Sequence, residues 1–405
     1  MAVVIAVHKG DGMSKYKVMV LNKISAHGLK RLPADHYEVG SDVAAPDAIL
    51  VRSQDMHAME IPVSVQAVAR AGAGTNNIPV KAFSQRGMPV FNSPGANANA
   101  VKELVLTGML MAARNVGPAL KFVSGLEGDD SSLSKLVEEG KKHFAGIELP
   151  GRTLGIIGLG AIGGMVADTA LKLGMHVLGY DPEISVDSAW RLSSQVRRAH
   201  SVEDLLRHSD FITLHVPLIA VTKHLINAER LATMKSGAVL LNFAREGIVD
   251  EQAIKDALDS KKLRAYVCDF PTAALKAHPH VVALPHLGAS TQEAEDNCAV
   301  MVIDQLKDYL EHGNITNAVN FPNVQMNRES AHRLAIANAN VPNMLGQIST
   351  AMAQAGLNIH NMSNKSRGDM AYTLVDLDSA VPDKVIAILR GTQGVLNVRA
   401  LPLQK

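Results

Sequence analysis

The feature that most constrains this chain is a glycine-rich run in its middle, residues 154–163, with Asp181 beyond it. An apolar stretch short enough for a buried strand leads into a Gly-x-Gly-x-x-Gly pattern at Gly158, Gly160 and Gly163. Residues 161–173 have the pattern of a helix that ends at a glycine, and 175–180 have that of a second strand. This order of strand, glycine turn, helix, strand and acid predicts a nucleotide-binding βαβ unit.

Each element of the pattern has a physical role in holding a dinucleotide. The first glycine permits a tight turn, the second lets the backbone approach a pyrophosphate, and the third lets the helix lie close to the strand. The amino end of the helix then faces the phosphates. Asp181 can accept hydrogen bonds from ribose hydroxyls and would repel a 2′-phosphate, so the sequence favours NAD over NADP.

Composition excludes several other classes of protein. The chain has 405 residues, enough for two or three domains, and 47% hydrophobic with 20% charged residues is ordinary for a globular protein. A formal net charge of +1 gives no long-range field for nucleic acid or an anionic membrane. No apolar run is long enough for a membrane span, so we expect a cytoplasmic protein. Cys268 and Cys298 are predicted to be buried thiols, and no metal site is expected.

The order of patterns predicts an α/β protein with a further module at its end. Short apolar runs alternate with helical patterns before residue 92, a long helix is predicted for 98–123, and strand–helix alternation continues to residue 284. This favours two doubly wound parallel sheets, of Rossmann or flavodoxin type. A helix predicted for 291–312 returns the chain to the first domain. From residue 334 the pattern becomes β-α-β-β-α-β, which is typical of a ferredoxin-like fold.

These patterns give the predicted domain boundaries. The first part of a substrate-binding domain covers 13–107, a nucleotide-binding domain covers 108–287, and 288–321 returns to the substrate-binding domain. A linker at 322–333 leads to the C-terminal module at 334–405. Residues 1–12 are interpreted as leader or added sequence, because they precede the first convincing strand.

Two stretches that follow predicted strands offer groups for hydride chemistry. His286 can accept a hydroxyl proton near neutral pH, and Arg245 can grip a carboxylate and polarise a carbonyl group. Arg52 and the loop 71–77 follow strands of the first domain and suggest an acid-binding edge. Taken singly, Arg245 is more typical of a surface ion pair, His286 of a hydrogen-bonded buried histidine, and the Arg52 and 71–77 stretches of ordinary turns; their shared context favours a site.

Together these segments resemble the D-2-hydroxyacid dehydrogenase family, and within it the D-3-phosphoglycerate dehydrogenases that carry a C-terminal ACT domain. The resemblance runs from about Lys17 onward and rests on the Gly158 motif with Tyr180-Asp181-Pro182, on Leu214-His215-Val216-Pro217-Leu218, and on the segments 242–250 and 285–291. It implies that Arg245 and His286 are catalytic. It also implies cofactor contacts at Gly158, Gly160, Ala161, Ile162, Gly163, Asp181, Val216, Phe243, Ala244, Asp269 and Gly288, and substrate contacts at Arg52, Ser53, Ala73, Gly74 and Thr75.

The activity that the resemblance implies is NAD-dependent oxidation of 3-phospho-D-glycerate to 3-phosphohydroxypyruvate, the first step of phosphorylated serine biosynthesis. Two alternatives stay open: a dehydrogenase for another D-2-hydroxyacid, such as a phosphorylated sugar acid, and a non-enzymatic NAD sensor on the same scaffold. One departure bears on this choice. Where the family has a glutamate that pairs with the catalytic histidine, this chain has Ala273 and Ala274, so the imidazolium lacks that stabilisation.

The last module resembles an ACT domain, through residues 340–346 and 356–359. Family members often bind L-serine between paired copies of this domain, which implies an effector site at Asn340 and Asn358. An assembly domain without a ligand is the alternative. Because relatives pair across two-fold axes, we expect a homodimer or a homotetramer.

Overall fold

The computed structural model describes residues 15–402, which divide into two compact units. One unit contains the described residues up to Asn97 and those from Gln292 onward, and the other is Ala98–Thr291. Residues 1–12, interpreted above as leader sequence, lie outside the described residues. Among the helices of the described part, none is long and apolar enough to cross a membrane.

The chain begins with a parallel sheet. Its elements are β1 (Tyr16–Leu21), α1 (Ala26–Leu29), β2 (Tyr37–Gly40), β3 (Ala48–Val51), β4 (Ala67–Arg70), α2 (Val80–Gln85) and β5 (Val90–Phe91). The strand order is β2-β1-β3-β4-β5 with parallel pairings throughout, the order of flavodoxin-like folds. Every residue of β3 is buried, because the run Ala-Ile-Leu-Val sits in a sheet covered on both faces.

The second unit holds the other parallel sheet. Its elements are α3 (Ala98–Ala113), α4 (Val116–Ser124), α5 (Asp130–Gly140), β6 (Thr153–Ile157), α6 (Ala161–Lys172), β7 (His176–Tyr180), α7 (Val186–Arg191), β8 (Arg197–Arg198), α8 (Val202–His208), β9 (Phe211–Leu214), α9 (Ala228–Thr233), β10 (Ala238–Asn242), α10 (Glu251–Asp259), β11 (Leu263–Cys268) and β12 (Val281–Ala283). The strand order is β12-β11-β10-β9-β6-β7-β8. The order reverses between β6 and β9, and such a switch point is where doubly wound sheets bind dinucleotides. The prediction of two parallel, doubly wound sheets is confirmed.

The prediction of one long helix at 98–123 is wrong in one respect. The chain forms two helices there, α3 and α4, with a break at residues 114–115. Asn115 adopts a left-handed conformation with φ 52°, and its side-chain amide donates to the carbonyl oxygens of Phe144 and Ala145. Asparagine tolerates this conformation better than most residues. Helix α3 packs in the core of the second unit, where Val105 and Met109 are fully buried, so this unit begins at Ala98 rather than at 108.

The chain then returns to the first unit through one long helix and an antiparallel sheet. The elements are α11 (Gln292–His312), β13 (His332–Ala339), α12 (Met344–Gln354), β14 (Ile359–Arg367), β15 (Met370–Leu377), α13 (Asp383–Gly391) and β16 (Val395–Pro402). Their order is β-α-β-β-α-β, and the sheet order is β14-β15-β13-β16. The predicted succession of elements is confirmed.

The antiparallel sheet is not a separate body behind a linker, as the predicted linker at 322–333 implied. Tyr372 and Leu374 of this sheet share one hydrophobic core with Phe91 of the parallel sheet and with Leu306 of α11. Pro322, Val324 and Met326 of the predicted linker are buried, Val324 fully, although the residues between them are exposed. The reason is apolar burial: the face of the antiparallel sheet that a free module would expose to water is covered instead.

The carboxyl end of α11 is anchored by charged side chains of the antiparallel sheet. Arg399 donates hydrogen bonds to the carbonyl oxygens of Tyr309 and Leu310, and Arg333 donates to that of His312. The last carbonyl groups of a helix have no hydrogen-bond partner within the helix. These arginines therefore donate to acceptors that would otherwise be buried without a partner. The end of α11 is thereby fixed to the sheet.

Arg333 also forms an ion pair with Asp376, and both side chains are fully buried. Its Nε and Nη2 donate to the two carboxylate oxygens at 2.6 and 2.8 Å. Burial alone would raise the pKa of Asp376, but the hydrogen bonds and the charge of Arg333 lower it below its usual value.

Candidate active site

The glycine turn follows β6 at the switch point of the sheet in the second unit. Gly158 has φ 95°, and a Cβ on it would lie 2.6 Å from the carbonyl oxygen of His215, so only glycine fits there. A Cβ on Gly163 would overlap the carbonyl oxygen of Gly158, which explains the third glycine. At Gly160, by contrast, a Cβ would meet nothing within 4 Å. The second glycine therefore borders open space, as a closely approaching phosphate requires.

The amino end of α6 is free to bind an anion. Its N-cap residue, Gly160, has no side chain to accept hydrogen bonds from the first helical N–H groups, and Ala161 is exposed. Unsatisfied N–H groups and the helix dipole at this end attract negative charge. The turn and the helix thus fit the pyrophosphate of a dinucleotide.

Asp181 follows β7 and is fixed against the glycine turn. One carboxylate oxygen accepts the backbone N–H of Leu159 at 2.8 Å, and the other accepts that of Glu183 at 3.0 Å. The side chain is partly exposed beside the turn. Its position suits the predicted contact with a ribose.

Other predicted cofactor residues lie after β9, β10 and β11. Val216 lies over the glycine turn, since its Cγ1 would be 3.0 Å from a Cβ on Gly158. Phe243 points into the core, where a Cβ on Gly108 would lie 3.1 Å from its ring, so its side chain is turned away from solvent. Ala244 is partly exposed next to it. Phe243 can therefore reach a cofactor through its backbone only.

His215 is a neighbour of this turn that the sequence did not single out as a site residue. Burial lowers the pKa of its imidazole to about 4, so the ring is neutral at pH 7. Its Nε2 lies 2.9 Å from the hydroxyl of Thr213, while its Nδ1 is buried without a partner among the described residues. His215 belongs to the segment 214–218 on which the family resemblance partly rests, but no local sequence pattern indicates that its Nδ1 is buried.

Arg245 is carried by a turn after β10. Asn242, the last residue of β10, is fully buried, and its amide donates to the carbonyl oxygen of Arg245 at 2.9 Å while its side-chain oxygen accepts the N–H of Ala244 at 3.2 Å. The guanidinium is exposed, and its Nη1 donates to the carbonyl oxygen of Ala244 at 2.6 Å. No ion pair of Arg245 is found within residues 15–402. The turn is fixed, but most of the guanidinium is available.

His286 lies three residues after β12, in a turn held by Asp269. The buried carboxylate of Asp269 accepts the backbone N–H groups of Leu287 and Gly288 at 2.7 and 2.8 Å. His286 itself has φ 55°, an uncommon conformation that these hydrogen bonds hold in place. Its ring packs against that of Phe270 with centroids 4.9 Å apart.

His286 and Arg245 lie at the same edge of the sheet. Strand β12 is next to β11 and β11 is next to β10, and both residues follow the carboxyl ends of these parallel strands.

The imidazole of His286 has no hydrogen-bond or ion-pair partner in the part of the chain that the structure describes. Ala273 and Ala274, which stand where a partner glutamate was expected, are both exposed.

Across the described residues, no group of three or more His, Cys, Asp or Glu side chains is arranged to hold a metal ion. Cys268 and Cys298 are free and buried, as predicted, and burial raises the pKa of both thiols.

In the first unit the predicted acid-binding residues lie after β3 and β4. The backbone N–H groups of Ser53 and Gln54 donate to the side-chain oxygen of Asn22, the latter at 2.6 Å. Asn77 donates to the carbonyl oxygens of Arg52 and Gln54, at 3.4 and 2.7 Å. Two asparagines thus fix the backbone of the Arg52 turn.

The loop after β4 leaves amide groups available. The N–H groups of Ala73, Gly74 and Thr75 have no acceptor among the residues described, and all three residues are partly exposed. Arg70, which the sequence did not single out, lies at the base of this loop and donates from Nε to Asn77 at 3.1 Å. Asn77 therefore connects Arg70 to the Arg52 turn, and the arrangement suits an anion.

The predicted effector residues lie at opposite ends of the antiparallel sheet. The Asn340 amide donates to the carbonyl oxygen of Gly368 at one end, and the Asn358 amide to Asp378 at the other. Strand β14 separates these ends by roughly 25 Å. One chain therefore does not bring the two asparagines together. A shallow surface pocket of ≈ 370 Å³ adjoins Asn358 and is also lined by Ser349, Thr350, Ala353, Leu357 and Ile359.

Comparison with known proteins agrees with this geometry. Residues 106–288 match the family described as D-isomer specific 2-hydroxyacid dehydrogenase, NAD binding domain. The D-3-phosphoglycerate dehydrogenase of Methanocaldococcus jannaschii is 38% identical over 287 residues, which are 69% of this chain and 52% of that protein. The chain thus spans about half the length of that relative. The D-3-phosphoglycerate dehydrogenase of Escherichia coli (strain K12) is 33% identical over 341 residues, 81% of this chain and 79% of that protein.

A solved structure gives the same result. The NAD+-bound 3-phosphoglycerate dehydrogenase of Entamoeba histolytica matches with a TM-score of 0.58 and 25% identity over 76% of this chain and 99% of that chain. The predictions of an NAD-dependent dehydrogenase and of NAD as its cofactor are therefore confirmed at the level of the family. The chain belongs to the D-isomer specific 2-hydroxyacid dehydrogenases and carries the NAD-binding domain of that family.

Proposed function

We propose that this protein oxidises 3-phospho-D-glycerate to 3-phosphohydroxypyruvate with NAD, the first step of the phosphorylated route to L-serine. The observation that carries the proposal is the placement of Arg245 and His286 after β10 and β12, at the sheet edge that also holds the glycine turn. The relatives from Methanocaldococcus jannaschii and Escherichia coli, both named D-3-phosphoglycerate dehydrogenase, support this substrate.

His286 is the proposed general base. When bound, NAD supplies the acceptor for the hydride that leaves C2 of the substrate. The proton of the C2 hydroxyl passes to the imidazole of His286, which must be neutral to accept it. The ring is exposed, and packing against Phe270 limits its orientation. Asp269 acts on the backbone of the same turn, and we assign it the additional cofactor contact that the resemblance implies.

Arg245 is the proposed clamp for the substrate carboxylate. Its guanidinium can bind two oxygens side by side and can stabilise the charge that develops as the C2 hydroxyl becomes a carbonyl. The buried Asn242 keeps the turn in place during this change. Because Arg245 lacks an ion-pair partner within the described residues, its full charge is available to the substrate.

The other proposed substrate and cofactor contacts are made by residues of the turns that follow the strands. In the first unit we assign the substrate contacts that the resemblance implies to Arg52, Ser53 and the amide groups of Ala73, Gly74 and Thr75. Asp181 binds the ribose and disfavours a 2′-phosphate. The other proposed cofactor contacts are Gly158, Gly160, Ala161, Ile162, Gly163, Val216, Phe243, Ala244 and Gly288.

The direct test is a steady-state assay of NADH formation with 3-phospho-D-glycerate, D-glycerate and D-lactate, with hydrazine present to trap the keto product. We expect the phosphorylated acid to have the highest kcat/KM. A higher value for an unphosphorylated acid would assign the protein to another D-2-hydroxyacid. Absence of turnover with all three, while NADH still binds, would support the sensor alternative.

The antiparallel module is proposed to be an ACT domain that binds L-serine between two copies. Asn340 and Asn358 lie at opposite ends of one sheet, so a single site needs Asn340 from one copy and Asn358 from another. A shallow surface pocket adjoins Asn358 at one of these ends. Calorimetry with L-serine should detect binding that Asn340→Ala and Asn358→Ala each abolish. If the parent protein binds no serine, the module serves assembly alone.

A homodimer or homotetramer is proposed on the basis of an apolar surface in the second unit. Helix α4 buries none of its residues within the chain. Large apolar side chains are exposed along three consecutive helices, namely Leu110 of α3, Leu120 and Val123 of α4, and Leu136 and Val137 of α5. A second copy would cover this area. Light scattering that gives the monomer mass at micromolar concentration would contradict the proposal.

A further inference from the structure

Arg52 forms an ion pair with Glu295, a residue that no sequence pattern linked to it. Its Nη2 donates to Oε1 of Glu295 at 2.6 Å, although 243 residues separate them along the chain. Each side chain is about one-third exposed, at 34%. Glu295 lies in the first turn of α11. The pair is therefore partly shielded from water, and its geometry is that of a charge-assisted hydrogen bond.

Glu295 fixes only the side chain of Arg52, because other residues already fix the backbone. Asn22 and Asn77 hold the backbone of this turn from two different chain segments. The Nε and Nη1 groups of Arg52 have no acceptor within residues 15–402. They remain available to an oxyanion while Glu295 occupies Nη2.

Helix α11 gives Glu295 a rigid support. One face of this helix is buried in the core of the first unit, with Cys298, Val302 and Leu306 nearly inaccessible to solvent. Its far end is held by Arg333 and Arg399 of the antiparallel sheet. A carboxylate mounted on such a helix can hold a long, flexible arginine in one orientation.

We propose that Glu295 is a positioning residue that orients the Arg52 guanidinium for the anionic group of the substrate. This inference rests on the proposed function, which assigns Arg52 to substrate binding. An unrestrained arginine loses rotamer freedom when it binds an anion, and Glu295 removes most of that loss in advance. Its negative charge also repels the incoming anion, so the hydrogen bond and the charge act in opposite directions.

The two contributions can be separated by two substitutions. Glu295→Ala removes both the acceptor and the charge, whereas Glu295→Gln keeps an oxygen that can accept from Arg52 and removes only the charge. For Glu295→Ala we expect KM for 3-phospho-D-glycerate to rise about three- to fivefold with kcat unchanged, within the range of partly exposed ion pairs. For Glu295→Gln we expect a KM equal to or below that of the parent protein.

Asp296 provides a matched control on the same helical turn. It carries the same charge, but its hydrogen-bond partners are Ser25 and Gln292, whereas the Arg52 guanidinium pairs with Glu295. Asp296→Asn should leave KM within about twofold of the parent value, since it removes a charge without touching the guanidinium. Thermal denaturation of all three variants separates loss of folding from loss of orientation.

The proposal is overturned if Glu295→Ala lowers KM or leaves it unchanged, or if Glu295→Gln weakens binding as much as Glu295→Ala does. A readout without turnover keeps the inference separate from the proposed activity. The dissociation constant of inorganic phosphate, measured by equilibrium dialysis, should follow the same order: weakest in Glu295→Ala and equal or tighter in Glu295→Gln. Equal phosphate affinity in the parent protein and Glu295→Ala would also overturn it.

Discussion

Arg52 and Arg245 each lie shortly after a buried strand of a parallel sheet, but their guanidinium groups have different hydrogen-bond partners. Each follows the end of a buried parallel strand, and in each turn an asparagine side chain binds the backbone, Asn77 for Arg52 and Asn242 for Arg245. The Arg52 guanidinium is paired with a carboxylate, whereas the exposed Arg245 guanidinium donates only to a backbone carbonyl within its own turn.

This difference suggests a division of roles. A guanidinium that is already paired is oriented but partly neutralised, which suits recognition of a charged group that does not change during the reaction. An unpaired guanidinium keeps its full charge for the group whose charge does change. We therefore expect Arg52 to govern substrate affinity and Arg245 to govern the chemical step.

The largest expected effect is that of Arg245→Ala. Removing a charged donor that acts on the transition state should lower kcat by about 10²- to 10³-fold with 3-phospho-D-glycerate. Arg207→Ala, at an exposed arginine in the last turn of α8, serves as the control and should keep kcat within about twofold. Steady-state kinetics at saturating NAD gives both values. If Arg245→Ala changes KM alone, the division of roles is wrong.

Arg52→Ala should have a smaller effect, expressed in KM. Loss of a charged hydrogen-bond donor to a substrate anion corresponds to about 1.5–3 kcal/mol, so KM should rise about tenfold or more while kcat changes little. In a series of substrate concentrations, a fall in kcat as large as that of Arg245→Ala would remove the contrast between the two arginines.

The smallest expected effect concerns the residue missing beside His286. Ala274→Glu, or Ala273→Glu, places a carboxylate where it can stabilise the imidazolium, so the acid limb of the pH–rate profile should move to higher pH by about one unit. Ala274→Gln is the uncharged control and should leave the limb in place. Identical profiles for the parent protein and both glutamate variants would show that a carboxylate there has no influence.

The turns of the second unit are features that a single sequence can predict. The nucleotide turn and the turns of Arg245 and His286 were predictable because each is a short local motif after a recognisable strand. Asp269 holds the His286 turn through backbone N–H groups near it in sequence. Local periodicity and turn chemistry are sufficient for such sites.

Other features depend on contacts between distant segments. Glu295 reaches Arg52 only because α11 packs on the parallel sheet, and no pattern near either residue indicates the pair. The antiparallel sheet was expected to stand apart, because its own β-α-β-β-α-β pattern is complete, but its apolar face shares a core with Phe91 and α11. The break at Asn115 depends on carbonyl acceptors near Phe144. Such long-range pairings are not visible in a single sequence.

The most direct test of the account is the ratio of kcat/KM for 3-phospho-D-glycerate to that for D-glycerate, measured in the parent protein, Arg52→Ala and Arg245→Ala. If Arg52 recognises the phosphate and Arg245 acts on the reacting end, Arg52→Ala should lower the ratio at least about tenfold. Arg245→Ala should lower both kcat/KM values and leave the ratio within about threefold. An unchanged ratio in Arg52→Ala, or its collapse in Arg245→Ala, would contradict the account.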